Sequence, residues 1–427
     1  MMNLRENIKQ TEEAMAKKKV AKKTAQGNEI EAARESRLAA IQMLIPLGLK
    51  AVAEELAAEV ESLAGPRYSR GGTMDRHGSN EGSVYLGDQK ARVIVPRVRR
   101  KDIDEEVPLA AYHRLQEPRV IERTTLNRVI RGVSMGDYAG AALTATEAFG
   151  ISRNSVSKKW IRASARKLKA LRTRSLKKLD IAVLALDGKT FGENEIILAV
   201  GVTMKGEKVV LGFIEASTEN FEVCRDFLNE LLERGLNVGK EILVVIDGGK
   251  GLRKAVEAVF EESAFVQRCQ WHKRENVVSY LSKERQAEWR GKLQEAYESP
   301  TYGKARSRLL ALRRELKGIN VSAVKSLDEG FEETLTLHRL GLFEELGASL
   351  KTTNLVENVN GLLERYTGRV TRWRNSDQRQ RWAATALLEI EPRLRRIKGY
   401  RHLPALRAAM KQAIFRRRQP AELQEAA

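Results

Sequence analysis

Apolar residues along this chain follow two spacings, and the spacing changes near residue 181. Up to residue 65 they recur at helical intervals, notably in ALAAIQMLIPLGLKAVAEELAAEVESLAG, where Gly65-Pro66 closes the predicted helix. From Tyr68 to Arg100, glycine-rich turns and the alternating run Ala91 to Val98 predict a small β element with a basic edge. Helical spacing resumes at about Pro108. A helix from about Tyr138 to Phe149, a turn at Gly150-Ile151 and a second helix N-capped by Ser152 predict a helix-turn-helix arrangement. Small residues at Ala139, Ala141 and Ala142 permit close helix approach. Ile151, Val156, Trp160 and Ile161 are expected on its core side, and Arg153, Asn154, Ser157 and Lys158 on its open side.

Beyond Ile181 the pattern turns strand-like. IAVLAL is expected to end at Asp187, IILAVGVT and KVVLGFI flank a hairpin turn at Met204-Lys205-Gly206, and ILVVI is expected to end at Asp247. An amphipathic helix from about Phe221 to Glu233 precedes ILVVI, and a helix from about Gly251 to Phe260 leads into AFVQRC. Three strands, helix, strand, helix, strand is the element order of a ribonuclease-H-like core, in which the first and fourth strands lie side by side. From about Trp271 to Leu350 the chain reads as helical and strongly charged, and helices continue from Asn354. The expected class is therefore α/β: a ribonuclease-H-like core with an all-helical insertion, preceded by a mostly helical region. The segments are 1–67 (helical), 68–107 (small, β-containing, basic), 108–180 (helix-turn-helix-like), 181–270 (first part of the core), 271–350 (insertion), 351–392 (end of the core) and 393–427 (basic tail).

Composition narrows the chemistry. The 427 residues allow several folding units. No apolar run approaches the roughly 20 residues that span a bilayer, and the N-terminus lacks the apolar block of a signal peptide, so an intracellular protein without a membrane partner is expected. Two cysteines and five histidines exclude a disulfide framework and leave little material for a nitrogen-ligated metal centre, so any metal is expected to be oxygen-bound. The 76 Lys+Arg against 56 Asp+Glu give a net charge of +20, which favours a polyanionic partner. The charge is unevenly spread. Residues 150–180 carry 11 basic and 1 acidic residue and residues 364–418 carry 16 and 4, whereas residues 181–260 carry 9 and 13. Basic flanks that hold phosphates around a carboxylate-rich centre that collects cations suit a nucleic-acid enzyme. On that reading Arg153, Asn154, Ser157 and Lys158 are candidates to reach a DNA groove, and Arg365, Arg369, Arg372 and Arg374 to neutralise phosphates. Trp271 and Trp373 are candidates for base stacking, although buried aromatics are commoner.

The candidate chemistry lies in carboxylates. Phosphodiester cleavage without a covalent intermediate is served by two divalent ions about 3.5–4 Å apart, and Mg²⁺ takes oxygen ligands. Asp187 in LALDGKT and Asp247 in VVIDGGKGL would converge on one sheet rim, with Gly188, Gly248 and Gly249 keeping bulk away. A third ligand is expected from a helix packed back on the sheet, and KTTNLVENVNGLLERYTG supplies Glu357, with Glu364 on the same face. Asn354 as N-cap with Glu357 three residues later would equally make a capping box that needs no metal. Gly188-Lys189-Thr190 mimics the end of a phosphate-binding loop, but Val183 stands where its first glycine is required.

The segments LALDGKTF, VVIDGGKGLRKAV, QRCQWHKRENVVSYL and TTNLVENVNGLLERYTGRV resemble the catalytic core of the Mutator-type bacterial insertion-sequence transposases. GSVYLGDQKARVIVPRVRR and GDYAGAALTATEAFGISRNSVSKKWI resemble that family's N-terminal half, so the similarity covers roughly residues 70 to 390. The resemblance implies a DDE triad at Asp187, Asp247 and Glu357, holding two Mg²⁺ or Mn²⁺ ions, with Asp187 shared between them. It also implies an all-helical insertion between the second Asp and the Glu, which the 110-residue gap from Asp247 to Glu357 accommodates. The family's Cys-x-x-His signature falls on Cys269 and His272; a buried cysteine beside a surface histidine is the plain alternative. By the same resemblance the chain is expected to be a transposase that binds terminal inverted repeats and cleaves and transfers strands of double-stranded DNA. It is expected to act as a dimer or larger assembly on transposon ends and target, associated with the bacterial nucleoid in the cytoplasm. No small-molecule substrate is expected. Two other classes fit the same residues: a catalytically inactive DNA-binding protein derived from a transposase, and a ribonuclease-H-like structure-selective nuclease.

Overall fold

The computed structural model describes residues 47–68, 72–86, 89–117, 119–135, 138, 151–216 and 220–425. The chain divides into two compact units, Met1–Ala163 and Ser164–Ala427.

In the first unit a helix over 47–64 (α1) ends at Gly65, which takes the left-handed φ of +76° expected where a helix stops. β1 (Met74–Leu86), β2 (Gln89–Arg100) and β3 (Glu105–Val107) form an antiparallel sheet. Val52, Leu56 and Val60 of α1 pack on Val84, Val95 and Val98 of this sheet. α2 (Ala110–Leu115) starts on the Glu59 carboxylate, which accepts from the Ala110 and Ala111 N–H groups at 2.6 and 2.9 Å. α3 (Arg119–Ile130) follows. Most of the first helix of the expected helix-turn-helix, residues 139–149, lies outside the described residues, as do Ala139, Ala141 and Ala142. Its second helix is present as α4 (Arg153–Arg172), whose residues 164–172 belong to the second unit. The Ser152 hydroxyl accepts from the Ser155 N–H at 3.4 Å, as an N-cap does. Ile151, Val156 and Trp160 are buried, but Ile161 is exposed, contrary to the expected core side. One position past Trp160 turns a side chain about 100° around the helix, off the buried stripe.

The second unit is built on a five-stranded sheet of β4 (Ile181–Phe191), β5 (Asn194–Thr203), β6 (Lys208–Ala216), β7 (Ile242–Ile246) and β8 (Ala264–Arg268), in the spatial order β6-β5-β4-β7-β8. The first three are antiparallel, while β7 and β8 run parallel to β4. Near-continuous apolar runs such as IAVLAL and ILVVI are what strands covered on both faces require. On one face lie α5 (Phe221–Glu233) and α6 (Lys250–Phe260), which pack Phe227, Leu228, Leu231, Leu252 and Val256 against Leu184, Leu186, Val244 and Ile246. Alternation along β4 sends Ala185 and Asp187 to the other face. β4 does not stop at Asp187. It pairs with β5 as far as Phe191–Asn194, because Gly192 closes the hairpin with a left-handed φ of +67° and the Lys-Thr-Phe run after Gly188 suits a strand.

A helical segment follows β8: α7 (Gln270–Val278), α8 (Lys283–Tyr297), α9 (Tyr302–Lys317), α10 (Val321–Asp328), α11 (Thr336–Arg339) and α12 (Phe343–Leu350). It has its own core around Trp289, Leu293, Tyr297, Leu309 and Leu335. α13 (Asn354–Thr367) and α14 (Ser376–Ile390) return to the sheet. There the Glu215 carboxylate of β6, almost fully buried, is held by Arg379, Ser376, Asn194 and Gln380. Within the basic tail expected from 393, helices continue, chiefly as α15 (Leu403–Glu425). Leu403, Leu406 and Met410 are buried, and Arg407 bonds Asp180 and the Ile181 carbonyl.

Candidate active site

Asp187 projects from the middle of β4 and Asp247 follows the last residue of β7. Since Ala185 stands opposite Val245 in this parallel pair, the two acids stand side by side two residues further on. The Asp247 carboxylate accepts from the Gly249 N–H at 3.0 Å, which fixes it at the head of α6. Glu357 comes from the first turn of α13. Burial pushes Asp187 up to about 7, and the charges of Asp247 and Glu357 push the same way. Asp247 and Glu357 are therefore both brought within electrostatic reach of Asp187, as the sequence leads one to expect.

The alternative role for Glu357 is not what forms. Asn354 is the first helical residue and Thr353 occupies the cap. The Asn354 N–H, which a capping box would give to Glu357, donates to the Thr352 hydroxyl at 3.3 Å, and the Glu357 carboxylate accepts from the Thr353 hydroxyl at 2.5 Å instead, while the Thr353 N–H donates to the Cys269 sulfur at 3.5 Å. Cys269 in turn caps α7, accepting from the His272 N–H at 3.5 Å. Its thiol is buried, which raises a pKa, yet the hydrogen bonds from His272 and Thr353 hold it below the usual value. The hydrogen bond with Cys269, reinforced by the Cys269, Glu357 and Asp247 charges, lifts His272 to about 9 against the effect of burial. The His272 Nδ1 lies 3.9 Å from Glu357 and 3.3 Å from the Thr353 hydroxyl. One ligand atom from each of Cys269, His272 and Glu357 falls within 4.8 Å of the others, and among the described residues no fourth protein ligand joins them.

Three residues that sequence reasoning passed over complete the site. Asn360, one turn beyond Glu357, donates from Nδ2 to the Asp187 Oδ2 at 3.0 Å. Lys189, on the same face of β4 as Asp187, reaches the Glu364 carboxylate at 2.6 Å and the Asn360 carbonyl at 3.4 Å. Arg268 threads between Gly248 and Gly330, donating to the Gly248 carbonyl at 2.7 Å and the Glu329 carbonyl at 3.0 Å. Both glycines have positive φ, and a Cβ on Gly248 would lie 1.9 Å from the Arg268 Nε. Helical spacing from Glu357 and strand spacing from Asp187 were the available signals for Asn360 and Lys189. Arg268 had none.

The candidate phosphate-facing residues fall in both units. Arg153, Asn154 and Lys158 are exposed and Ser157 is half-buried in the first. Arg365, Arg369, Arg372 and Arg374 are exposed in the second. Trp271 is 47% exposed, whereas Trp373 packs against Phe191 and Trp382, with ring centroids 5.0 and 6.4 Å away. Stacking on a base would take Trp373 from those partners.

The family model described as transposase, Mutator family, matches residues 15–392. The chain belongs to the Mutator family of transposases. Relatives of this Mutator-family chain include the transposase for insertion sequence element IS256 in transposon Tn4001 of Staphylococcus aureus, 28% identical over 195 residues, which are 45% of this chain and 48% of that one. The transposase for IS905 of Lactococcus lactis is 28% identical over 207 residues, 48% and 51% of the two chains. A probable insertion-sequence transposase of Corynebacterium diphtheriae is 30% identical over 182 residues, 42% and 52%. The chain spans about half the length of the curated relatives it matches. No helix among the described residues is long and apolar enough to cross a membrane.

Proposed function

We propose that this chain cuts and joins DNA at the ends of an insertion sequence, using Asp187, Asp247 and Glu357 on a ribonuclease-H-like core to hold two Mg²⁺ or Mn²⁺ ions. The observation that carries the reading is the convergence of carboxylates from β4, the end of β7 and α13, where burial first, and then the charges of Asp247 and Glu357, push Asp187 up to about 7. A buried cluster of like charges is unfavourable alone and favourable around cations, so the donor set fits hard divalent ions. Bound there, such ions would activate a water or a 3′ hydroxyl and stabilise the leaving oxygen. The order β6-β5-β4-β7-β8, three antiparallel strands and then two parallel to the first, supports the core assignment, and residues 271–350 are its insertion.

The chain's own residues do the rest. The room that Gly248 leaves is taken by Arg268, and Arg365, Arg369, Arg372 and Arg374 neutralise phosphates next to α13. Arg153, Asn154, Ser157 and Lys158 of α4 contact the terminal repeats, and pairing two ends requires at least a dimer on DNA.

The test is strand cleavage and strand joining with Mg²⁺ or Mn²⁺, on DNA taken from the flanks of the gene. Asp187→Asn and Asp247→Asn are expected to lose both reactions while retaining DNA binding. Joining that persists in Asp247→Asn would overturn the assignment. Cutting of branched substrates without joining would make the chain a structure-selective nuclease instead.

A further inference from the structure

We infer that Asn360 is a positioning residue for the metal-binding carboxylate of Asp187. The inference rests on the reading of Asp187 as a cation ligand and adds a fourth side chain to the site.

Asn360 is only 4% exposed, on the stripe of α13 that also buries Val356, Val359 and Leu363. An apolar residue would satisfy packing there. Instead the position holds an amide whose Nδ2 donates to Asp187 and whose Oδ1 is buried without a hydrogen-bond partner. Leaving a buried acceptor unmet is unfavourable, so the amide weakens the fold unless its other half serves something. That other half holds Oδ2 of Asp187 and so limits rotation of the carboxylate.

The choice of an amide is chemically specific. A lysine or arginine at this point would cancel the charge that attracts a cation, and a second carboxylate would add repulsion to a cluster already crowded with acids. A neutral donor orients the carboxylate and leaves its charge intact. Lys189, on the same face of β4, is turned to Glu364 and to the Asn360 backbone carbonyl, so it pins the same turn of α13 without pairing with Asp187.

The experiment compares the full chain with Asn360→Ala, with Asn360→Leu, which keeps the branched shape and removes the donor, and with Asp187→Asn. Mn²⁺ binding is measured calorimetrically without DNA, at a temperature where melting curves show each variant folded. Both Asn360 variants are expected to bind Mn²⁺ about tenfold more weakly, with a matching rise in the Mn²⁺ concentration needed for half-maximal cleavage and little change in rate at saturation. Wild-type Mn²⁺ affinity in both, with Asp187→Asn defective, would overturn the role of Asn360 and leave the carboxylate site standing. Wild-type affinity in Asp187→Asn would overturn the site itself. Failure of both Asn360 variants to fold at any temperature would assign the residue to the core and also end the proposal.

Discussion

Lys189 and Glu364 face each other across β4 and α13 at 2.6 Å, and this pair separates two glutamates that share one helix face. The ammonium draws Glu364 outward and holds its carboxyl below the usual range, while Glu357, two turns earlier, stays beside Asp187 and His272. Glu364→Gln is therefore expected to leave metal-dependent cleavage within about threefold of wild type, since an exposed pair contributes little. Glu357→Gln should lose at least about a hundredfold, as a lost metal ligand does. A cleavage assay on the two variants decides; the reverse ranking would move the third ligand to Glu364.

The raised Asp187 makes metal-free stability depend on pH in a definite direction. Its folded value, about 7, lies above the unfolded value near 3.8, so the contribution is complete below about 4 and is lost as pH rises through 7. In EDTA, Asp187→Asn should melt above wild type at pH 8, by an amount of the order of a few kcal/mol, and the advantage should vanish by pH 4. Added Mn²⁺ should reverse the ranking at pH 8. Melting curves at the two pH values, with and without metal, read this directly.

Removing Glu215 should be costly in a way unrelated to chemistry. Its carboxylate stays ionised despite burial because Ser376, Arg379, Asn194 and Gln380 all donate to it. Glu215→Ala leaves the Arg379 guanidinium, 11% exposed, without its partner, and should destabilise the second unit by about 3–5 kcal/mol in denaturant unfolding. A loss below about 1 kcal/mol would mean that water replaces the carboxylate there.

Arg372→Ala and Arg374→Ala should each weaken binding to any DNA sequence and reduce the slope of log affinity against log salt by about one. A change in sequence preference with an unchanged slope would place these arginines at bases rather than at phosphates.

Much of the second unit was legible because its signals are local. The apolar runs of β4 and β7, the helix Phe221–Glu233 and the hairpin at Met204-Lys205-Gly206 carry their own periodicity, and the two aspartates follow from strand adjacency. Local punctuation misled at the end of β4 and offered a second role for Glu357 that does not form. Asp187-Gly188 looked like the end of a strand, but β5 supplies partners as far as Phe191. Asn354 looked like a cap, but Thr353 takes that place with its N–H on Cys269, 84 residues earlier, and the Asn354 N–H goes to the Thr352 hydroxyl. The partners of Asp187, Glu364 and Gly248 were illegible for the same reason, since each lies on an element distant in sequence.

The Arg268 side chain means that the helices between Asp247 and Glu357 cannot be trimmed away as an ornament. Its guanidinium rests half on the loop that carries Asp247 and half on the turn at Glu329-Gly330, with room made by a glycine on each side. A shortened chain ending that bridge would leave a cation beside Asp247 with one carbonyl instead of two and free to turn toward the acid. A minimal catalytic fragment of this protein must therefore keep the helices, or replace Arg268 and refill the space beside Gly248.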